Sequence, residues 1–217
     1  MRAGRKTKVQ PEAIKTRSVM RTRLLILSVA ALAIPHAAAL ACDGKAAVEA
    51  AFTKQQKQPW RTEILTKSES GETQTQLFDF QPPDRMYRKA SAGQESIETI
   101  GIGKWAWTNL GSGTGWEELQ PMQARVVTLQ IQEQFAPPRV TADFKCLGKV
   151  TFDGKELLGY QTAPEKVEGA GELARTIYVD PDTGLPAFNI VGPTDTSANP
   201  LLRGQFTYPA DIDIQRP

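Results

Sequence analysis

The chain has 217 residues, with 26 Lys and Arg, 24 Asp and Glu and one histidine, for a formal net charge of +2. The charge is unevenly spread: residues 1–41 hold eight basic side chains (Arg2, Arg5, Lys6, Lys8, Lys15, Arg17, Arg21, Arg23) against Glu12 alone, so residues 42–217 carry 18 basic and 23 acidic groups, a net −5. A mildly acidic body without a basic stripe excludes a nucleic-acid partner. The single histidine, His36, falls in the leader, which excludes Ser-His-Asp and Cys-His machinery from the rest and removes the commonest catalytic metal ligand.

Taken in order, "MRTRLLILSVAALAIPHAAALA" (20–41) opens on two arginines, continues through the uncharged run 24–34 and ends in Ala39-Leu40-Ala41. That order is a secretory signal peptide with an A-x-A cleavage site, and its apolar run is shorter than the ~20 residues a bilayer span needs. Residues 1–41 are therefore expected to be a leader with its signal core at 20–41, and Met20 makes a better signal start than Met1. Residues 42–217 are expected to form one domain, located in the periplasm and without a membrane span.

Two cysteines remain, Cys42 and Cys146. The even count in an exported chain favours a disulfide. The competing fate is lipid attachment at Cys42, for which "AALAC" is a loose lipobox that would leave Cys146 unpaired.

"CDGKAAVEAAFTKQQKQ" (42–58) predicts a helix, with Asp43 as N-cap, an apolar stripe of Ala47, Val48, Ala51 and Phe52, and Pro59 as its stop. Short segments divided by turn signals follow at 60–67, 73–80, 84–90, 94–102, 104–110 and 114–119. Their connections are too short for crossover helices, so they predict six antiparallel strands. Pro121 opens a second helix, 121–135, on which Val127, Ile131 and Phe135 recur at helical spacing with Met122 and Val126 beside them, and Pro137-Pro138 closes it. Strands resume at 144–152 and 155–163 around an Asp153-Gly154 hairpin turn, then at 172–180, 184–192 and 201–208.

The expected fold is mainly β: an unclosed, strongly curved antiparallel barrel of about eleven strands with two or three α-helices against the concave face. A single sheet of that length must curl or close, and amphipathic helices need an apolar face to lie on. Whatever the helices leave unfilled becomes a cavity.

"GKWAWTNLGSGTGWEEL" (103–119) places three of the four tryptophans within twelve positions. Trp105 and Trp107 share a strand face, and Trp116 can reach the same region across the glycine turn. Two neighbouring indoles on solvent would need a reason; the alternatives are ordinary core, the lining of an apolar pocket, or sugar stacking. The expected lining is Trp60, Phe78, Phe80, Tyr87, Trp105, Trp107, Trp116, Phe188 and Phe206, with Phe78 and Phe80 on one face of their strand and Leu77 and Asp79 on the other.

"IGIGKWAWTNLGSGTGWEEL", "DGKELLGYQTA", "TIYVDPDTGLPAFNIVG" and "GQFTYPADIDIQRP" resemble periplasmic lipoprotein-carrier (LolA-like) domains of the outer-membrane lipoprotein-sorting type, over most of residues 43–217. The resemblance implies an unclosed β-barrel lidded by helices that binds a lipid, an acyl chain or a lipoprotein. The classical carrier holds its lid shut with an arginine on an early strand. Arg61 and Arg85 lie on early strands here, and neither sits in a motif that transfers the role.

Three functions are weighed. The first is a non-enzymatic periplasmic binder or carrier of a hydrophobic ligand, monomeric, with no cofactor and no metal. The second is an envelope protein-interaction or sensor module in which the same fold has a filled core. The third, a carboxylate-dependent hydrolase, has little to stand on, because no G-x-S-x-G elbow occurs and no carboxylate pair stands out.

Overall fold

The computed structural model describes residues 42–68, 71–92, 95–194 and 200–217. The leader and its signal core at 20–41, with His36, lie outside the described residues. Helix α1 (Gly44–Gln55) starts at Asp43, whose carboxylate accepts the Ala46 N–H at 3.0 Å, so a free amide of the first turn is satisfied as a capping aspartate should satisfy it. Its expected stripe packs inward: Val48 and Ala51 are buried against Tyr160, Ile177 and Val179, with Ala47 and Phe52 alongside. Cys42 and Cys146 form a disulfide that joins the start of α1 to the sheet across 104 positions. The approach beside it is so close that a Cβ on Gly44 would stand 2.1 Å from the Phe144 carbonyl oxygen.

Twelve antiparallel strands follow: β1 (Trp60–Lys67), β2 (Thr73–Gln81), β3 (Arg85–Ala92), β4 (Glu95–Ile102), β5 (Trp105–Asn109) and β6 (Glu117–Glu118) before helix α2 (Pro121–Phe135), then β7 (Phe144–Phe152), β8 (Lys155–Thr162), β9 (Glu165–Val167), β10 (Gly171–Val179), β11 (Pro186–Gly192) and β12 (Leu202–Thr207). They run in the order β6-β5-β4-β3-β2-β1-β12-β11-β10-β8-β7, with β9 paired on β10. The result is the unclosed, curved sheet expected, with two helices on its face. The Asp153-Gly154 turn has φ of 52° and 74°, the left-handed pair that a two-residue hairpin of this hand requires.

Three details differ from the sequence-based expectation. The three-residue β9 is additional: it is short, polar and fully exposed, so no hydrophobic alternation announces it. Strand β6 shrinks to two residues because Gly111, Gly113 and Gly115 all take positive φ and extend the preceding turn. On α2, Ile131 is buried and Val127 and Phe135 pack inward, but Met122 and Val126 point to solvent. Met122 and Val126 lie on the side of the helix away from Ile131, which the 3.6-residue period separates from the inner stripe.

Helix α2 lies close on the sheet at Gly101. A Cβ there would meet Ile131 Cδ1 at 2.5 Å and Val127 Cγ1 at 2.8 Å, so a larger residue would have to push these two side chains aside.

Replacing both cysteines by alanine is expected to lower stability by about 2–4 kcal/mol, the usual worth of a disulfide closing a long loop. Urea unfolding of the oxidised protein and of the variant measures the difference, and a midpoint unchanged by reduction would contradict it.

Candidate functional site

Cross-strand register decides which side chains share a face. One line runs Trp60, Phe80, Met86, Gly101, Ala106 across β1 to β5, and it is the line helix α2 covers. Next to it Thr62 pairs with Phe78 on one side and with Phe206 on the other, and a further row of the same face runs Ile64, Gly204, Asn189, Ile177 across β1, β12, β11 and β10. Helix α2 contacts β4 and β5, whereas α1 contacts β7, β10 and β11, so the two helices cover opposite ends of this face. Between them lies a cavity of about 750 Å³.

The floor of the cavity is aromatic and aliphatic: Trp60, Phe78, Phe80, Ile177, Leu202 and Phe206. Trp60 stacks on Phe80 with centroids 4.8 Å apart, Phe78 stacks on Phe80 at 5.8 Å, Phe135 meets Trp60 edge-on at 5.3 Å, and Phe52 does the same to Phe206 at 6.1 Å. Offset and edge-on contacts of this kind hold ring positions as well as burying area. Val48, Phe52, Gln55 and Gln56 of α1 and its cap form one wall; Gln130, Glu133 and Gln134 of α2 and the segment 136–142 form the other. The Gln56 amide ties the walls together, donating to the backbone carbonyls of Gln134 at 2.6 Å and Ala136 at 2.7 Å. Outside the lining, Tyr208 donates its hydroxyl to the Pro186 carbonyl at 2.7 Å, and burial pushes its pKa well above the ordinary phenol value.

Polar side chains share the lining with this apolar floor. Arg175 lies two residues before Ile177 on β10, and its Nε donates to Asn189 Oδ1 at 2.9 Å. Arg139, Glu133 and several glutamines and threonines complete the lining. Among the described residues no three His, Cys, Asp or Glu side chains gather into a metal site, and no helix is long and apolar enough to cross a membrane.

Of the nine aromatic residues expected to line a cavity, Trp60, Phe78, Phe80 and Phe206 border this one. The other five stand on the opposite face or at its edge, and register supplies the reason. Trp107 pairs with Ile100, Ile100 with Tyr87 and Tyr87 with Asp79, so the whole line belongs to the face of Asp79, away from Phe78 and Phe80. Tyr87, Trp107 and Trp116 pack there around Ile100 under Ile212 and Ile214 of the C-terminal tail. The tail is fastened by Arg85, which donates to the Ile214 carbonyl at 2.8 Å, by the Ile214 N–H donating to Gln81 at 2.9 Å, and by the Arg216 guanidinium 5.5 Å from the Trp107 ring. Trp105 is 41% exposed at the margin, with the Lys104 ammonium 5.2 Å from its ring. Phe188 is buried on the outer face with Leu157, Tyr178 and Ile190.

The early-strand arginines also belong to the outer face. Arg61 grips the buried Asp79 with two hydrogen bonds, at 2.6 and 2.8 Å, and Arg85 holds the tail. Sequence reasoning misses Arg175, Asn189, Ile177 and Leu202. The alternation Arg175, Ile177, Val179 on one strand is the available signal, since period two puts the arginine beside the apolar pair.

No family model matches this chain, and no curated protein matches it. Among solved structures it is similar to an uncharacterized conserved protein from Thermus thermophilus (12% identity, 76% of this chain and 87% of that one, TM-score 0.44). It is also similar to a chain of the Pseudomonas aeruginosa MucA/MucB complex (14% identity, TM-score 0.43), covering 81% of this chain and 62% of that longer one. A third likeness is to a candidate outer membrane lipoprotein-sorting protein domain from Vibrio parahaemolyticus (8% identity, 77% of this chain and 93% of that one, TM-score 0.29).

An Ile212→Asp/Ile214→Asp variant is expected to free the tail and bare Trp107 and Trp116. The check is a red shift of tryptophan emission together with a loss of stability of about 2–5 kcal/mol, the range for losing buried aliphatic side chains. Unshifted emission would show that the tail does not shield the indoles.

Proposed function

We propose that this chain is a periplasmic, non-enzymatic binding or carrier protein that holds a hydrophobic ligand, a lipid or the acyl chain of a lipoprotein, in the cavity between its helices and its sheet. The cavity itself carries the reading. Its volume falls within the range of about 300–1,000 Å³ typical of sites for small organic molecules, and its aromatic and aliphatic floor offers a surface to an apolar chain while polar side chains line the walls. Burial of about ten methylenes supplies roughly 8 kcal/mol before the cost of association, enough to hold a chain without covalent chemistry. The Cys42–Cys146 disulfide fits an oxidising compartment such as the periplasm.

The test is native mass spectrometry of delipidated protein offered a bacterial lipid extract. Acyl-bearing adducts at one per chain are expected. Leu202→Trp, which places an indole in the cavity, should weaken binding at least tenfold with little change in thermal unfolding, whereas Trp105→Ala should leave binding intact. Absence of adducts, or a loss caused by Trp105→Ala and not by Leu202→Trp, would count against the reading.

One observation favours the second reading, an envelope protein-interaction or sensor module. Met122, Val126 and Leu129, 80%, 67% and 43% exposed, form a single outward stripe on α2, and an apolar stripe facing water suits a protein partner. A Met122→Glu/Val126→Glu variant that loses a stoichiometric protein partner and keeps its lipid would select that reading for this surface.

A further inference from the structure

We infer that Arg175 is the headgroup site of the cavity and selects amphiphiles whose polar end is a carboxylate or phosphate; the inference rests on the cavity being a ligand site. Four other basic residues along the sheet have acidic partners: Arg61 with Asp79, Lys89 with Glu98, Lys149 with Glu156 and Arg203 with Asp153. Arg175 has none among the described residues. Its Nε is fixed by Asn189, which orients the guanidinium and leaves the two terminal NH₂ groups without a protein acceptor among those residues. A planar fork held at one nitrogen and open at the others suits bidentate capture of a carboxylate or phosphate.

The surroundings favour an anion. Arg175 is exposed to solvent where it borders the cavity, and the protein around it draws its pKa below the usual guanidinium value by desolvation while it stays charged. The other ionisable side chains of the lining are Arg139 and Glu133, so the cavity carries one net positive charge. A guanidinium beside an apolar floor, without a carboxylate partner among the described residues, is free to pair with a bound anion. Ile177, Leu202 and Phe206 line the same cavity, so a ligand that satisfies the guanidinium has apolar wall at hand for a chain.

Calorimetric titration of the purified protein with laurate, dodecyl phosphate, 1-dodecanol and inorganic phosphate tests this. Laurate and dodecyl phosphate are expected to bind about tenfold more tightly than dodecanol, as a charge-assisted contact implies. Arg175→Gln should erase that preference and leave dodecanol affinity unchanged, while Arg175→Lys, a point charge without the fork, should retain part of it. Equal binding of laurate and dodecanol by the native protein overturns the headgroup assignment and leaves the cavity reading standing, as does a preference that survives Arg175→Gln or is lost only in Arg139→Gln. Failure of all three amphiphiles to bind overturns both readings. Inorganic phosphate binding as tightly as dodecyl phosphate makes Arg175 a site for a free anion and overturns the amphiphile assignment.

Discussion

Strand β12 returns from the end of the chain to pair with β1, and that seam fuses two consecutive meanders into one sheet. The sheet's margins are then β6 and β7, which follow one another in sequence and stand at opposite ends of the strand order. The segment between them has to travel from one margin to the other. Most of it is α2, whose inner stripe of Val127, Ile131 and Phe135 makes the apolar face the favoured route. An unclosed sheet crossed by its own connection encloses space that strand pairing alone would not.

How much of that space stays open depends on where the helices touch. α1 is held at the C-terminal half by Val48 and Ala51 on Ile177 and Val179; α2 is held at the N-terminal half, lowered onto Gly101. Between these two contacts the face carries Thr62, Phe78 and Phe206, and the cavity lies over it. On the outer face of the same sheet Ile212 and Ile214 of the tail pack down on Trp107 and Trp116. The two faces therefore solve the same problem, a wide apolar surface, in different ways.

The architecture is largely legible from the amino acids. Asp43, Pro121 and Pro137-Pro138 punctuate the helices, Asp153-Gly154 sets a hairpin, and alternation marks the long strands. The site is legible in part, and the limit is register. Alternation within a strand tells which residues share a face, as with Phe78 and Phe80, but linking that face to the next strand requires the pairing partner. A meander can slip by one residue between strands, and one slip sends Trp107 to either side. Arg175 escapes notice for a similar reason: an arginine on a strand reads as solvated until Asn189 on the neighbouring strand, and the helices above, are placed around it.

The fastening of α1 is unequal at its two ends. Near its start a covalent bond joins Cys42 to the strand at the sheet's margin; just past its finish, Gln56 holds on through two hydrogen bonds to backbone carbonyls. Two such bonds are together worth about 1–3 kcal/mol net, within reach of thermal fluctuation, whereas the disulfide is not. The helix is thus tied at one end by a bond that reduction can cut and at the other by bonds that water can replace, with Val48 and Ala51 seated in the core between them.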